Sequence, residues 1–295
     1  MKTFEGSMTA LATPFRNGAL DESAYRALVR QQIEGGTSVL VPMGTTGESV
    51  TMNAEERARA VRVVVEEAKG RVGVLGGAGS NNTAEVIESV ARVRDAGADG
   101  SLIVTPYYNR PTQAGLVEHF RAVARAHPGF PIVAYNVPGR TGVDLLPETV
   151  QRLCDFPEVV AIKEATGNMA RAVDILEKCG DRLTLLSGDD FTVLPFLACG
   201  GKGVISVSSN VAPRLMADLV AAGRAGDFAK ARELQVKLNN LHRLLFVESS
   251  PIPVKWGLHL LGLFGPEVRL PLVPMTGPNA EKLGDELRHL GLLKH

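Results

Sequence analysis

Lys163 is the residue with the most chemistry to explain. It ends the run Val159-Val160-Ala161-Ile162-Lys163-Glu164-Ala165-Thr166-Gly167. Four apolar residues lead straight into a cation, which reads as a strand buried on both faces with a lysine at its end. Burying an ammonium is costly, and desolvation answers that cost by lowering the lysine pKa. A neutral lysine amine is the nucleophile that makes Schiff bases with carbonyl substrates. A lone lysine here would be read instead as snorkelling to the surface with its stem packed. The nucleophile reading gains its weight from the residues around it.

Those residues sit in glycine-containing polar turns. They are Gly44-Thr45-Thr46-Gly47-Glu48-Ser49, Gly77 to Asn82, Thr105 to Pro111, Tyr135 to Gly142, Ser187 to Asp190 and Ser206 to Asn210. Glycines flanking Thr45 and Thr46 let backbone N–H groups approach a small anion, and the hydroxyls add donors, which suits a carboxylate. Arg140 is the only cation of its turn and can fork onto a second carboxylate. No histidine lies on these turns, so Tyr135 and Tyr108 are the candidates for proton transfer, with Thr46 able to relay between hydroxyls. Tyr135 also reads as a core tyrosine with a satisfied hydroxyl. Lys255, in Pro251-Ile252-Pro253-Val254-Lys255-Trp256, is the rival lysine and reads as structural.

The elements that must position these residues alternate regularly. Strands are expected at Met8–Thr13, Ser38–Met43, Val72–Gly76, Ser101–Thr105, Ile132–Asn136, Val159–Lys163, Leu183–Ser187 and Gly203–Val207. Amphipathic stretches lie between them: Asp21–Glu34, Asn53–Lys69, Thr83–Ala96, Gln113–Ala126, Pro147–Cys154, Met169–Cys179, Thr192–Cys199 and Pro213–Ala222. Asp21 is a good N-cap, Asn53 with Glu56 resembles a capping box, and Gly35-Gly36 and Gly70 are helix stops. Eight strand–helix units imply an α/β fold, a (β/α)8 barrel over residues 1–226 with the polar turns on one rim. An open doubly wound sheet is the alternative, but no G-x-G-x-x-G follows the first strand. Beyond Asp227 the strand signal stops. Residues 227–295 read as a C-terminal helical extension, with helices at Asp227–Phe246, Ile252–Leu263 and Pro278–Leu293.

Three of these motifs together resemble the dihydrodipicolinate synthase family: the Gly44–Ser49 loop, Tyr135–Gly142 and Ile162–Gly167. This family belongs to the pyruvate-dependent class I aldolases that include N-acetylneuraminate lyase. Thr105–Tyr108, Ser187–Asp190 and the Pro251–Lys255 stretch extend the likeness over essentially the whole chain. The resemblance implies condensation of pyruvate with L-aspartate 4-semialdehyde to 4-hydroxy-tetrahydrodipicolinate, in lysine and diaminopimelate biosynthesis. Lys163 would form the imine with pyruvate, so that no cofactor and no metal is needed. Thr45 and Thr46 would hold the pyruvate carboxylate, with Thr46 linking Tyr135 to Tyr108 in a proton relay. Arg140 would bind the semialdehyde carboxylate, and Gly188 and Ile205 would line the pocket through backbone carbonyls. Tyr108 would reach a neighbour's site in a homotetramer built as a dimer of tight dimers. Ser49, Asn81, Glu85 and Tyr107 match a lysine-binding allosteric pocket of sensitive relatives. Ala54 and Arg57 stand where sensitive bacterial relatives carry histidine, so weak lysine inhibition is expected. Ser250 departs from the asparagine that many members have before Pro-x-Pro-Val-Lys.

Composition narrows the alternatives. Lys plus Arg and Asp plus Glu both number 32, so no net field recruits nucleic acid or an anionic membrane. No apolar run approaches a membrane span, and Met1–Gly6 lacks the apolar core of a signal peptide. Three scattered cysteines without a CxxC fit reduced thiols in a cytoplasm. The six histidines show no zinc-ligand spacing. A keto-sugar lyase ranks lower, because Arg140 suits a short substrate bearing a carboxylate. A phosphate-handling barrel is disfavoured by Asp189-Asp190, which stand after the seventh strand, where such barrels often bind their anion. A silent ligand sensor fits poorly with the intact set of Lys163, Tyr135, Thr45 and Thr46.

Overall fold

The computed structural model describes residues 4–293. Met1, Lys2 and Thr3 of the segment read above, and His295, lie outside the described residues. Eight parallel strands close into a barrel in chain order: β1 (Gly6–Ala10), β2 (Val39–Val41), β3 (Gly73–Gly77), β4 (Gly100–Val104), β5 (Ile132–Asn136), β6 (Val159–Glu164), β7 (Thr184–Ser187) and β8 (Gly203–Ser206). The ring is sealed by β1 pairing β8, with Met8 opposite Ile205, and β2, with Met8 opposite Val39. Each strand is followed by a helix: α1 (Glu22–Glu34), α2 (Ala54–Ala68), α3 (Thr83–Asp95), α4 (Gln113–Ala126), α5 (Pro147–Leu153), α6 (Met169–Cys179), α7 (Val193–Ala198) and α8 (Pro213–Arg224). The (β/α)8 architecture is therefore as the alternation implies.

Caps fix where the helices start. Asp21 accepts from Ala24 N at 3.0 Å, and Asn53 and Glu56 form the reciprocal capping box at α2. Strand limits differ from expectation by one or two residues for most strands. The first strand stops at Ala10 and not at Thr13, because the chain leaves the barrel for a short hairpin of Phe15–Arg16 against Ala19–Leu20. Its turn, Asn17-Gly18, has φ of 54° and 78°, the positive values that Asn-Gly favours.

Side chains alternate between two cores. Met8, Val41, Leu75, Leu102 and Val133 fill the barrel interior. Leu40, Val74, Ile103, Ile162 and Leu185 face outward into the layer under the helices. The tail adds α9 (Phe228–Leu245), α10 (Ile252–Leu260) and α11 (Pro278–His289). Leu241, Leu258, Leu283 and Leu287 of these helices belong to the same outer core as the barrel helices, so the tail is packed onto the barrel by shared apolar burial. Among the described residues no helix is long and apolar enough to cross a membrane.

Candidate active site

The inward aim of Lys163 depends on one extra residue. Along β5 and β6, Ile132 pairs Val159 but Val133 pairs Ala161, so Val160 is a bulge. Val159 joins the outer core, Val160 and Ala161 both face the interior, and Ile162 faces out again. Strict alternation from Val159 would have sent Lys163 outward, since a shift of one residue swaps the faces of a strand. The bulge restores the phase, and Lys163 points inward.

Inside, Lys163 is 6% exposed and sits directly across the sheet from Tyr135. Its Nζ lies 4.2 Å from the centre of the Tyr135 ring. Burial pushes the Lys163 amine down from an ordinary 10.5 to about 8. The Asp190 carboxylate opposes that fall, while Arg140 adds to it. At that value about a tenth of the amine is neutral at pH 7, far more than in an ordinary lysine. Burial raises the Tyr135 phenol, and the Arg140 charge and a hydrogen bond with Thr45 partly offset this. Gly188, at the end of β7, makes room for the lysine: a Cβ there would lie 2.8 Å from Lys163 Cε and 2.6 Å from Ala165 Cβ.

Lys163 opens on a cavity of about 210 Å³ that Thr45, Thr46, Tyr135, Arg140 and Gly188 also line. A second lobe of about 260 Å³ shares Thr45, Tyr135 and Arg140 and continues past Ser49 and Tyr107. Arg140 lies in the short helical turn Pro138–Thr141 after β5, and no ion pair holds it among the described residues. Its turn is braced from behind. Asn136 Nδ2 donates to Glu164 Oε2 and to Asp144 Oδ1, both at 2.9 Å, and Arg171 forks onto Asp144. The guanidinium is left free to meet an anion in the cavity.

The remaining expected residues lie in several places. The relay is expected through Thr46, but it is Thr45 whose hydroxyl helps to hold the Tyr135 phenol down against its burial. Both threonines line the Lys163 lobe, and Thr46 is the buried one, at 4% exposure. Tyr108 is 88% exposed with a φ of 71° and does not line its own chain's cavity. Ile205 packs in the barrel interior. Of the four residues expected at an allosteric pocket, Ser49 and Tyr107 line the second lobe, whereas Asn81 and Glu85 do not. Asn81 offers its carbonyl to Asn109 Nδ2 at 2.8 Å, and Glu85 accepts from Ser80 Oγ at 2.7 Å. Ala54 and Arg57 line a separate crevice between α2 and α3. Lys255 is fully buried and ion-paired to Glu48 at 2.6 Å, away from the cavity.

Two site residues escaped the sequence reading. Asp190 entered it only as an obstacle to phosphate. Its buried carboxylate accepts from the backbone N–H groups of Val207 and Ser208 at 3.0 and 2.9 Å, which ties the turns after β7 and β8 together. Ser250, read as a matter of local packing, lines the Lys163 lobe, and its buried Oγ has no hydrogen-bond partner. Among the described residues no three His, Cys, Asp or Glu side chains converge as a metal site requires.

A closed parallel barrel whose C-terminal rim holds a buried lysine amine beside a tyrosine defines a class, the (β/α)8-barrel proteins with a lysine in the mouth of the barrel. Comparison with known proteins narrows it. Residues 3–290 match the Dihydrodipicolinate synthetase family, and the chain belongs to that family. It is 51% identical over 292 residues to the 4-hydroxy-tetrahydrodipicolinate synthase of Maridesulfovibrio salexigens, covering 99% of this chain and 100% of the relative. The dihydrodipicolinate synthase crystal structure from Aquifex aeolicus superposes with a TM-score of 0.96 at 43% identity, over 99% of this chain and 100% of that one. The chloride-inhibited enzyme from Acinetobacter baumannii, crystallised with pyruvate, gives 0.96 at 41% identity over the same shares.

Proposed function

We propose that this chain condenses pyruvate with L-aspartate 4-semialdehyde to give 4-hydroxy-tetrahydrodipicolinate, a step of lysine and diaminopimelate biosynthesis. One observation carries the reading: a buried lysine amine, lowered to about 8, stands 4.2 Å from the Tyr135 ring in a cavity that also holds Arg140. The neutral Lys163 amine attacks the keto carbon of pyruvate, and loss of water gives a protonated imine. Thr45 and Thr46 hold the pyruvate carboxylate. The imine nitrogen accepts the electron pair when a methyl proton leaves, which forms an enamine without any cofactor or metal. Tyr135 moves the protons. The enamine carbon attacks the aldehyde, whose own carboxylate Arg140 orients, and the aldehyde oxygen takes up a proton. The substrate amine then adds to the imine carbon, closes the ring and expels Lys163 as a free amine.

Borohydride reduction in the presence of pyruvate tests this reading. The mass of the trapped adduct should appear on the peptide carrying Lys163 and vanish in Lys163→Ala. Labelling of Lys255 instead would overturn the assignment.

The assembly we propose is a homotetramer built from tight dimers in which Tyr108 serves a neighbour's site. Its support is the phenol's 88% exposure on a backbone at φ 71°, a conformation costly for a residue with a Cβ unless its surroundings hold it. The free thiols of Cys154, Cys179 and Cys199 suit a reducing cytoplasm.

A further inference from the structure

The loop that carries Thr45 and Thr46 is closed on itself through Glu48. Gly47 N donates to Gly44 O and Glu48 N to Thr45 O, each at 3.1 Å. Glu48 O then accepts from Thr51 N at 3.1 Å and from Thr51 Oγ1 at 3.0 Å. The residue sits in the left-handed region at φ 55°, a position that needs outside support when it is not glycine. That support comes from the tail. Glu48 Oε1 accepts from Lys255 Nζ at 2.6 Å, and Oε2 accepts from Arg269 N at 2.9 Å. Glu48 and Lys255 are 2% and 0% exposed.

The two tail residues are themselves fixed. Lys255 Nζ lies 4.3 Å from the centre of the Phe15 ring, and the Arg269 guanidinium carbon lies 4.4 Å from it. Arg269 forks onto Glu56 at 2.9 and 2.6 Å and also donates to the carbonyls of Thr51 and Gly18. Glu56 is the capping-box residue of α2, so both ends of the segment from Glu48 to α2 are tied to one place on the tail.

We propose that Lys255 is a positioning residue for the keto-acid subsite, acting through Glu48 to hold Thr45 and Thr46 in register with Lys163. The inference rests on the reading of those two threonines as the pyruvate carboxylate site. The ion pair lies off the cavity and touches no reacting atom. Removing one partner leaves the other charge buried and unpaired, which forces it to move or draw in water and shifts the loop with it. The Arg140 turn is braced by a different network, through Asn136, Asp144 and Arg171, so the second substrate's subsite should be untouched.

The experiment uses the full chain and varies pyruvate during borohydride trapping at Lys163, alongside steady-state kinetics and thermal melts. Lys255→Met should raise the half-saturating pyruvate concentration at least about tenfold, since an ångström-scale displacement of a positioning group has effects of that order. Trapping at saturating pyruvate and the half-saturating semialdehyde concentration should each stay within twofold of the parent chain. Lys255→Arg, which keeps the charge, should recover part of the affinity. If Lys255→Met does not fold, the double variant Glu48→Gln with Lys255→Met removes both buried charges together and serves in its place, with the same expected rise. A folded variant of either kind whose pyruvate half-saturation is unchanged would overturn the proposal, even if its melting temperature falls. Absence of any Lys163 adduct in the parent chain would instead overturn the functional reading beneath it.

Discussion

Gly188 and Lys163 share one small volume at the ends of adjacent strands, and the missing side chain of the first is what admits the second. A Cβ on Gly188 would stand 2.8 Å from Lys163 Cε and 3.1 Å from its Cγ. Gly188→Ala should therefore push the lysine stem off its rotamer. Overpacking of this kind costs about 1–3 kcal/mol. We expect the rate of pyruvate trapping to fall about tenfold or more while the variant stays folded. Trapping at the parent rate would show that the stem can give way without losing its aim.

The buried amine sets a pH dependence with a definite sign. With its folded value near 8, below the ordinary 10.5, the rate of imine formation should rise with pH and level off above about 8. Stability follows the same group. The folded chain binds fewer protons than the unfolded chain between about 8 and 10.5, so the lysine's burden on folding is full below pH 8 and is relieved as pH rises through that window. Lys163→Met should then be more stable than the parent chain by up to roughly 3 kcal/mol at pH 7. The gap should close toward pH 10.5 in denaturant titrations. A gap that does not vary with pH would assign the difference to packing.

Arg140→Ala should separate the two half-reactions. Use of the semialdehyde, read as kcat/KM, should drop at least about tenfold, as expected when a carboxylate loses a charged partner in a cavity. Pyruvate trapping at Lys163 should remain within a few-fold of the parent chain. Equal loss of both would mean that Arg140 organises the whole cavity.

If Tyr108 serves a neighbour, defective protomers should complement each other. Mixing inactive Lys163→Ala with weakly active Tyr108→Phe under subunit exchange should restore activity, since some sites then hold both groups. No recovery in verified mixed dimers would assign Tyr108 to packing alone.

L-Lysine should inhibit weakly. Ser49 and Tyr107 line the second lobe, but Asn81 and Glu85 do not, and Ala54 and Arg57 face a different crevice. Hydrogen bonds to charged groups are worth about 1.5–3 kcal/mol each, so losing one or two costs about tenfold or more in affinity. Strong, saturable inhibition at submillimolar lysine would show that other residues complete a pocket.

Residues at strand ends were legible in the sequence because each strand ran apolar up to its turn. Lys163, Tyr135, Arg140 and Gly188 all line the cavity for that reason. The bulge at Val160 was not legible, since one extra valine in an apolar run leaves no mark in the pattern. Which of Thr45 and Thr46 acts on the Tyr135 phenol depends on backbone direction within the turn, which composition does not carry. Asp190 and the Glu48–Lys255 pair were invisible for a different reason. Their partners are set by which distant segments the closed barrel brings together, and local propensity is silent on that. The Asn17-Gly18 hairpin did have a signal, but strands of two residues are too short to show a period.

The Glu48–Lys255 pair also bears on when the molecule becomes competent. The two residues are 207 positions apart. At about 5–20 residues per second, the ribosome takes roughly 10–40 s to emit the partner after the loop itself has appeared. Throughout that interval the Glu48 carboxylate lacks the ammonium that meets it in the finished protein. Early strands and helices can settle locally, but this contact is among the most non-local in the chain and must form late. On the proposal above, a chain released before residue 255 would keep Lys163 and Tyr135 but lose the clamp on Thr45 and Thr46 that Lys255 supplies.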